Sequence, residues 1–266
     1  MTRRRRLQAA HGSLHGSLGG VLALVLLLGL WQVYVSAAGV SPLILPGPLA
    51  VLAALGRLVL RAATWQAALV TLAETLGGFL IACLAGIALG VLLGRVRWLE
   101  RSLQPLLVGL QVVPKIALVP LFILWFGFGI GSKLVIAAVL AFLPVLSNTI
   151  LGVKSVEPGH REVMATLRAG MVWRLWLLDL PSALPSVLTG LEVAIVLANI
   201  GAVVGEFLAG TEGLGHMAVA ALNGFEVDVL FAVIVLLAAL GCVLYLAIAG
   251  LRRALIPWHG SAPGGL

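Results

Sequence analysis

The sequence predicts an all-α membrane protein, with six transmembrane helices and a polar cytoplasmic helix between the fourth and the fifth. Three observations carry that expectation. Of 266 residues, 61% are hydrophobic and only 10% are charged, whereas soluble domains carry about 25% charged residues. Six apolar runs approach the roughly 20 residues that a helix needs to cross a bilayer. Glu162–Pro181, EVMATLRAGMVWRLWLLDLP, interrupts that apolar background with a polar, basic stretch. Spanning lipid requires no such stretch, so it reads as a helix that another molecule touches.

The six runs lie near Leu18–Ala38, Ala68–Gly94, Leu103–Trp125, Lys133–Val153, Leu184–Leu208 and Val229–Leu251. They lack the short alternating pattern of barrel strands. Gly86, Gly90 and Gly94 recur every fourth residue, a spacing that lets two helix backbones approach in lipid. This predicts packing inside the bundle rather than a seam between two copies.

Charge sets the orientation. Arg3–Arg6, Arg95, Arg97, Arg101, Lys154, Arg161, Arg168, Arg174, Arg252 and Arg253 fall on one side, and only Arg57, Arg61 and Lys133 on the other. The positive-inside rule then makes both termini cytoplasmic. The net charge of +7 reflects topology and contact with anionic lipid, not nucleic-acid binding. Trp31, Tyr34, Trp98, Trp125 and Trp258 suit interfacial anchoring. Residues 1–17 read as a basic cytoplasmic N-terminus, 18–253 as the membrane domain with its polar loop at about 154–183, and 254–266 as a cytoplasmic tail. Arg3–Arg6 followed by an apolar run also fits a cleaved secretory signal. The run is long for one, which favours a retained first helix.

Along the chain, Pro42, Pro46 and Pro48 break the connection after the first span. The following AVLAALGRLVLR is amphipathic, with Arg57 and Arg61 on one face, and is expected to lie on the membrane surface. In the third span Pro114 and Pro120 free backbone groups that need partners. Lys115 reads as near the cytoplasmic end, reaching the headgroups or acting as a gate or ion-pair residue. Asn148 and Thr149 are polar at membrane depth in the fourth span. Pro158 opens the polar helix, expected over Pro158–Trp176, and Pro181 and Pro185 are expected to end it. Glu192, Asn199 and Glu206 recur every seven residues, two helical turns, so they share one face of the fifth span. That face must look into the bundle or a path through it, as must Glu74 in the second span.

Several function classes find no support. No G-x-x-x-x-G-K-[ST] phosphate loop is present; Gly129–Lys133 has the wrong spacing. His11, His15, His160, His216 and His259 form no metalloprotease pattern, and Cys83 and Cys242 make neither a disulfide framework nor a metal site. A stand-alone secondary transporter would show inverted repeats, and no half-to-half similarity is visible.

Two motifs carry a family resemblance. Glu162, Val163 and Met164, then Arg168 at a glycine position, then Leu178-Asp179-Leu180-Pro181, resemble the EAA loop of ATP-binding-cassette importer permeases. Gly170 lies two residues late for that glycine. VPKIALVPLFILWFGFG, Val113–Gly129, is similar to a stretch of the sulfonate, nitrate and taurine branch, as are Leu45-Pro46-Gly47-Pro48 and Glu206 followed by Gly213-Leu214-Gly215. The resemblance implies a permease subunit that works as a homodimer. Its implied partners are a dimeric cytoplasmic ATPase, which would hold ATP and magnesium, and a periplasmic or lipid-anchored binding protein. No cofactor is implied on this chain. The coupling residues would be Glu162, Val163, Met164, Leu167, Arg168, Ala169, Gly170 and Trp173. The path residues would be Glu74, Lys115, Asn148, Glu192, Asn199 and Glu206. The implied solute is a small anion of sulfonate, taurine or nitrate type; a thiamine precursor, riboflavin or another heterocycle fits the same motifs.

Overall fold

The computed structural model describes residues 3–256, and every regular element among them is helical. The segment that carries Trp258 and His259 lies outside them. Among the described residues, four helices are long and apolar enough to cross a membrane: Ala62–Arg95, Ile130–Lys154, Val172–Ala209 and Val227–Leu255. The first helix, α1 (Arg3–Ala37), contributes the shorter apolar stretch Leu22–Ala37.

The third span is interrupted, as Pro114 and Pro120 led us to expect, and the break is sharp. It is split into α4 (Arg97–Val112) and a 3-10 turn (Lys115–Leu118) that leads into α5 (Val119–Phe126). The two halves meet at 84°. Local chemistry explains the elbow. A residue before proline is pushed out of the helical region, and Val113 sits at φ −61° and ψ 126°. Pro114 also has no N–H to continue the ladder. Gly127, at φ +77°, ends α5 in a left-handed conformation that suits glycine.

The chain divides into two compact units, Met1–Ala62 with Ala218–Ile234, and Ala63–Met217 with Val235–Leu266. In the first, α2 (Pro48–Val59) starts on a proline and buries Val51, Ala54 and Leu58 at helical spacing. The Leu49 N–H donates to Gln32 Oε1 (3.4 Å), and Trp31 stacks at a tilt on Phe231, ring centres 5.9 Å apart. Arg57 pairs with Asp228 at 2.9 Å. Arg61 does not share its helix: α2 ends at Val59 and α3 (Ala62–Arg95) begins three residues later. The expected face with both arginines is therefore broken by the turn.

In the second unit, α6 (Ile130–Lys154) and α9 (Leu180–Ala209) pack extensively on one another. Ala137, Ala141, Ala194, Ala198 and Ala202 pack with Ala82 and Val145 into one core. Small side chains let α3, α6 and α9 lie close, where van der Waals contact rather than apolar burial holds helices together. The glycine repeat of α3 packs inside the chain, as expected. A β-carbon on Gly86, Gly90 or Gly94 would meet Val145, Thr149 or Val153 of α6 at 2.9, 2.5 and 2.8 Å.

Candidate coupling segment and buried polar network

The polar segment between α6 and α9 is a short helix followed by a turn, not one long helix. α7 covers Pro158–Thr166, with the proline in its first turn as expected. The chain then turns through Leu167–Gly170 and enters α8 (Met171–Arg174). Arg168 supplies the turn: its φ is +50°, the left-handed region that costs a side-chain-bearing residue roughly 1–2 kcal/mol. The arginine at the glycine position thus takes the conformation that glycine would favour. Val163, Leu167 and Trp173 are more than half exposed, while Met164 and Ala169 are partly buried. Glu162, Arg168 and Gly170 are exposed.

Pro181 and Pro185 do not end this segment. A π-helical turn, Leu175–Asp179, carries α8 into α9, and Val172–Ala209 forms one helix of 38 residues. The wider turn accommodates Pro181 near the start of α9, where the missing N–H matters least. Two ion pairs hold the flanks. Arg95, the last residue of α3, brackets Asp179 with Nε at 3.1 Å and with Nη2. Lys154, the last residue of α6, pairs with Glu100 in the first turn of α4. Basic groups at helix C-termini and an acid at an N-terminus suit the helix dipoles.

The fifth-span stripe is buried along its whole length and satisfied within the chain. Glu192 pairs with Arg252 at 3.1 Å. Thr75 donates to Asn199 Oδ1 at 3.4 Å. Thr71 donates to Glu206 Oε1 at 2.7 Å, and the Gly215 N–H donates to Oε2 at 2.6 Å. The Gly213-Leu214-Gly215 turn closes over this carboxylate. Gly213 has φ +103°, and a β-carbon on Gly215 would stand 2.6 Å from Oε2. Glu74, 1% exposed, accepts from Lys133 Nζ at 2.7 Å.

The remaining expected path residues divide. Asn148 donates to the Pro144 carbonyl of its own helix at 2.9 Å, and its β-carbon faces Gly190. Lys115 is partly buried, and it borders an apolar cavity of about 410 Å³ with Ile81, Ala82 and Ala85 of α3 and Val135, Val139 and Leu143 of α6.

Sequence reasoning missed Arg95, Asp179, Arg252, Thr71 and Thr75. Asp179 lies inside the L-D-L-P ending, and an acid there was a signal that a base must stand opposite. The threonines carried no signal, since a hydroxyl bonded to its own helix looks the same in the sequence. Among the described residues no group of three or more His, Cys, Asp or Glu side chains is placed to hold a metal ion.

The family model described as the inner membrane component of binding-protein-dependent transport systems matches residues 84–257. The riboflavin transport system permease of Chloroflexus aurantiacus is 38% identical over 90% of this chain and 89% of its own length. The formylaminopyrimidine transport permease of Halalkalibacterium halodurans is 36% identical, covering 88% and 93%. The taurine transport system permease of Escherichia coli is 33% identical, covering 89% and 88%. Among solved structures, an inward-facing form of the MetNI methionine ABC transporter aligns with a TM-score of 0.62 at 20% identity, over 70% of this chain and 93% of that one. That likeness supports the fold.

Proposed function

Since the chain belongs to the family of inner membrane components of binding-protein-dependent transport systems, we propose that it works as a homodimeric importer subunit driven by a separate ATPase. The observation that carries this reading is the segment after α6. α7, the turn after it and α8 expose Val163, Leu167 and Trp173 in that order, apolar side chains suited to a groove on a soluble partner. That segment is joined at once to the helix that bears the buried stripe. Closure of two ATPase subunits around nucleotide would draw two such segments together. The attached helices would then pass between two access states, a population shift driven by the partner's differential contacts. In this arrangement both termini face the cytoplasm and the loop that follows α9 faces the binding protein.

The solute is a small organic anion, of the class named by the taurine relative and by the aliphatic sulfonate relative of Bacillus subtilis, 32% identical over 90% of this chain. A heterocyclic solute is a second reading, favoured by the riboflavin and formylaminopyrimidine relatives. A cysteine at Ala165, with Cys83 and Cys242 replaced by alanine, should crosslink to an ATPase in membranes. Adducts to lipid or permease alone would overturn the coupling assignment. Purified chain without an ATPase subunit should show no ATP turnover. Uptake by the assembled complex of taurine against riboflavin separates the two solute classes.

A further inference from the structure

Two buried acids and a single base meet where α3, α6 and α9 pack together. Glu74 and Glu206 are each 1% exposed, and Lys133 is buried with them. Glu206 is bound to Thr71, and Thr71 lies three residues before Glu74 on α3, so the two share a face. Lys133, the partner of Glu74, packs on the residue before Glu206: a β-carbon on Gly205 would meet its Cγ at 3.2 Å. The two carboxyl groups therefore stand against each other. Glu212, in the turn after α9, adds a further negative charge that acts on Glu74. Among the described residues no second base pairs with either acid. Fully ionised, the trio would seal one surplus negative charge away from water, which is strongly unfavourable. Its hydrogen bonding is incomplete as well. Glu206 accepts from Thr71 and from the Gly215 N–H, whereas Glu74 Oε2 is buried without a partner. One added proton answers both defects. On Glu206 it cancels the surplus charge, and the resulting O–H can donate to Glu74 Oε2. Carboxyl groups that share a site characteristically hold one proton between them.

We propose that Glu74 and Glu206 together bind one proton, held on Glu206 and donated to Glu74 Oε2, and that this proton ties α3 to α9. Glu74 stays ionised and keeps its pair with Lys133. Loss of the proton sets two carboxylates against each other across the same helix contact. The folded chain thus carries a proton that the unfolded chain lacks above about pH 5, where a free glutamate is ionised. The state that binds more protons is weakened as pH rises, so the fold loses stability with rising pH until the proton leaves. The site needs no part of the importer reading.

Infrared spectra of the purified full chain in micelles give the first readout. At neutral pH the C=O stretch of a protonated carboxyl group should be present, assigned by isotopic labelling of glutamate. Glu206→Gln and Glu74→Gln should each abolish it, because one acid and one base balance without a proton. Denaturant unfolding across pH gives the second readout. The amide that replaces Glu206 donates to Glu74 Oε2 at every pH. Relative to Glu206→Gln, the wild-type unfolding constant should therefore rise by up to about tenfold per pH unit while the proton stays bound. A protonated carboxyl band that is absent from wild type, or that survives in either folded variant, would overturn the shared proton. So would wild-type and Glu206→Gln unfolding constants that keep one ratio at every pH. Stability that depends on sodium, with no carboxyl band, would overturn it in favour of a bound cation.

Discussion

Removing Lys133 should cost far more stability than removing the whole pair it belongs to. Its ammonium stands 2.7 Å from Glu74 Oε1, with side-chain exposures of 6% and 2%. At an effective dielectric constant of about 20, that separation corresponds to an attraction of roughly 6 kcal/mol. Most of it offsets the desolvation of two ions. Lys133→Met leaves the Glu74 carboxylate buried without a base, and such a loss typically costs about 3–5 kcal/mol. The orphaned group has little remedy nearby, since Glu74 Oε2 already lacks a hydrogen-bond partner. The double replacement Glu74→Leu with Lys133→Met removes both charges at similar volume and should lie within about 1–2 kcal/mol of wild type. Equilibrium unfolding of the three variants in mixed micelles, read as a double-mutant cycle, supplies the numbers. If Lys133→Met costs under about 1 kcal/mol, or if the double variant costs the sum of the two singles, the reasoning about a closed buried pair is wrong.

Three further outcomes are expected. Arg168→Gly should stabilise the turn after α7 by about 1 kcal/mol by relieving the positive φ, read as slower amide exchange over residues 158–173; faster exchange would contradict it. Gly90→Val should destabilise by at least about 1–3 kcal/mol, because even a β-carbon there stands 2.5 Å from Thr149; an unfolding midpoint equal to wild type would refute the α3–α6 contact. Glu206→Gln should preserve assembly, since an amide oxygen still accepts from Thr71 or Gly215, yet alter the transport or basal ATPase rate; wild-type rates would make the stripe simple packing.

Periodicity made much of this fold legible. Four apolar runs became long helices, the glycine repeat of α3 found α6, and the seven-residue spacing brought Glu192, Asn199 and Glu206 to one buried face. What the sequence hid lay in how local breaks resolve. Pro114 and Pro120 marked a weak point, but proline identity does not say whether a helix kinks slightly or turns by 84°; neighbouring helices decide that. The same limit applied at Pro181, where a π turn carried the helix through a residue that usually stops one. Pairings such as Arg95 with Asp179 join residues 84 positions apart, beyond any local pattern.

The helix Val172–Ala209 begins two residues after the Leu167–Gly170 turn and carries Glu206 in its last turn, with no loop between. Its 38 residues make a lever arm of about 57 Å at 1.5 Å per residue. Over that length each degree of tilt displaces the far end by about 1 Å. A swing of only a few degrees, imposed at Trp173, therefore exceeds the 2.6 Å contact that seats Glu206 on Gly215. On the importer reading proposed above, a small rotation at one end of this helix would decide whether the other end opens or seals, and softening the π turn would blunt that transmission.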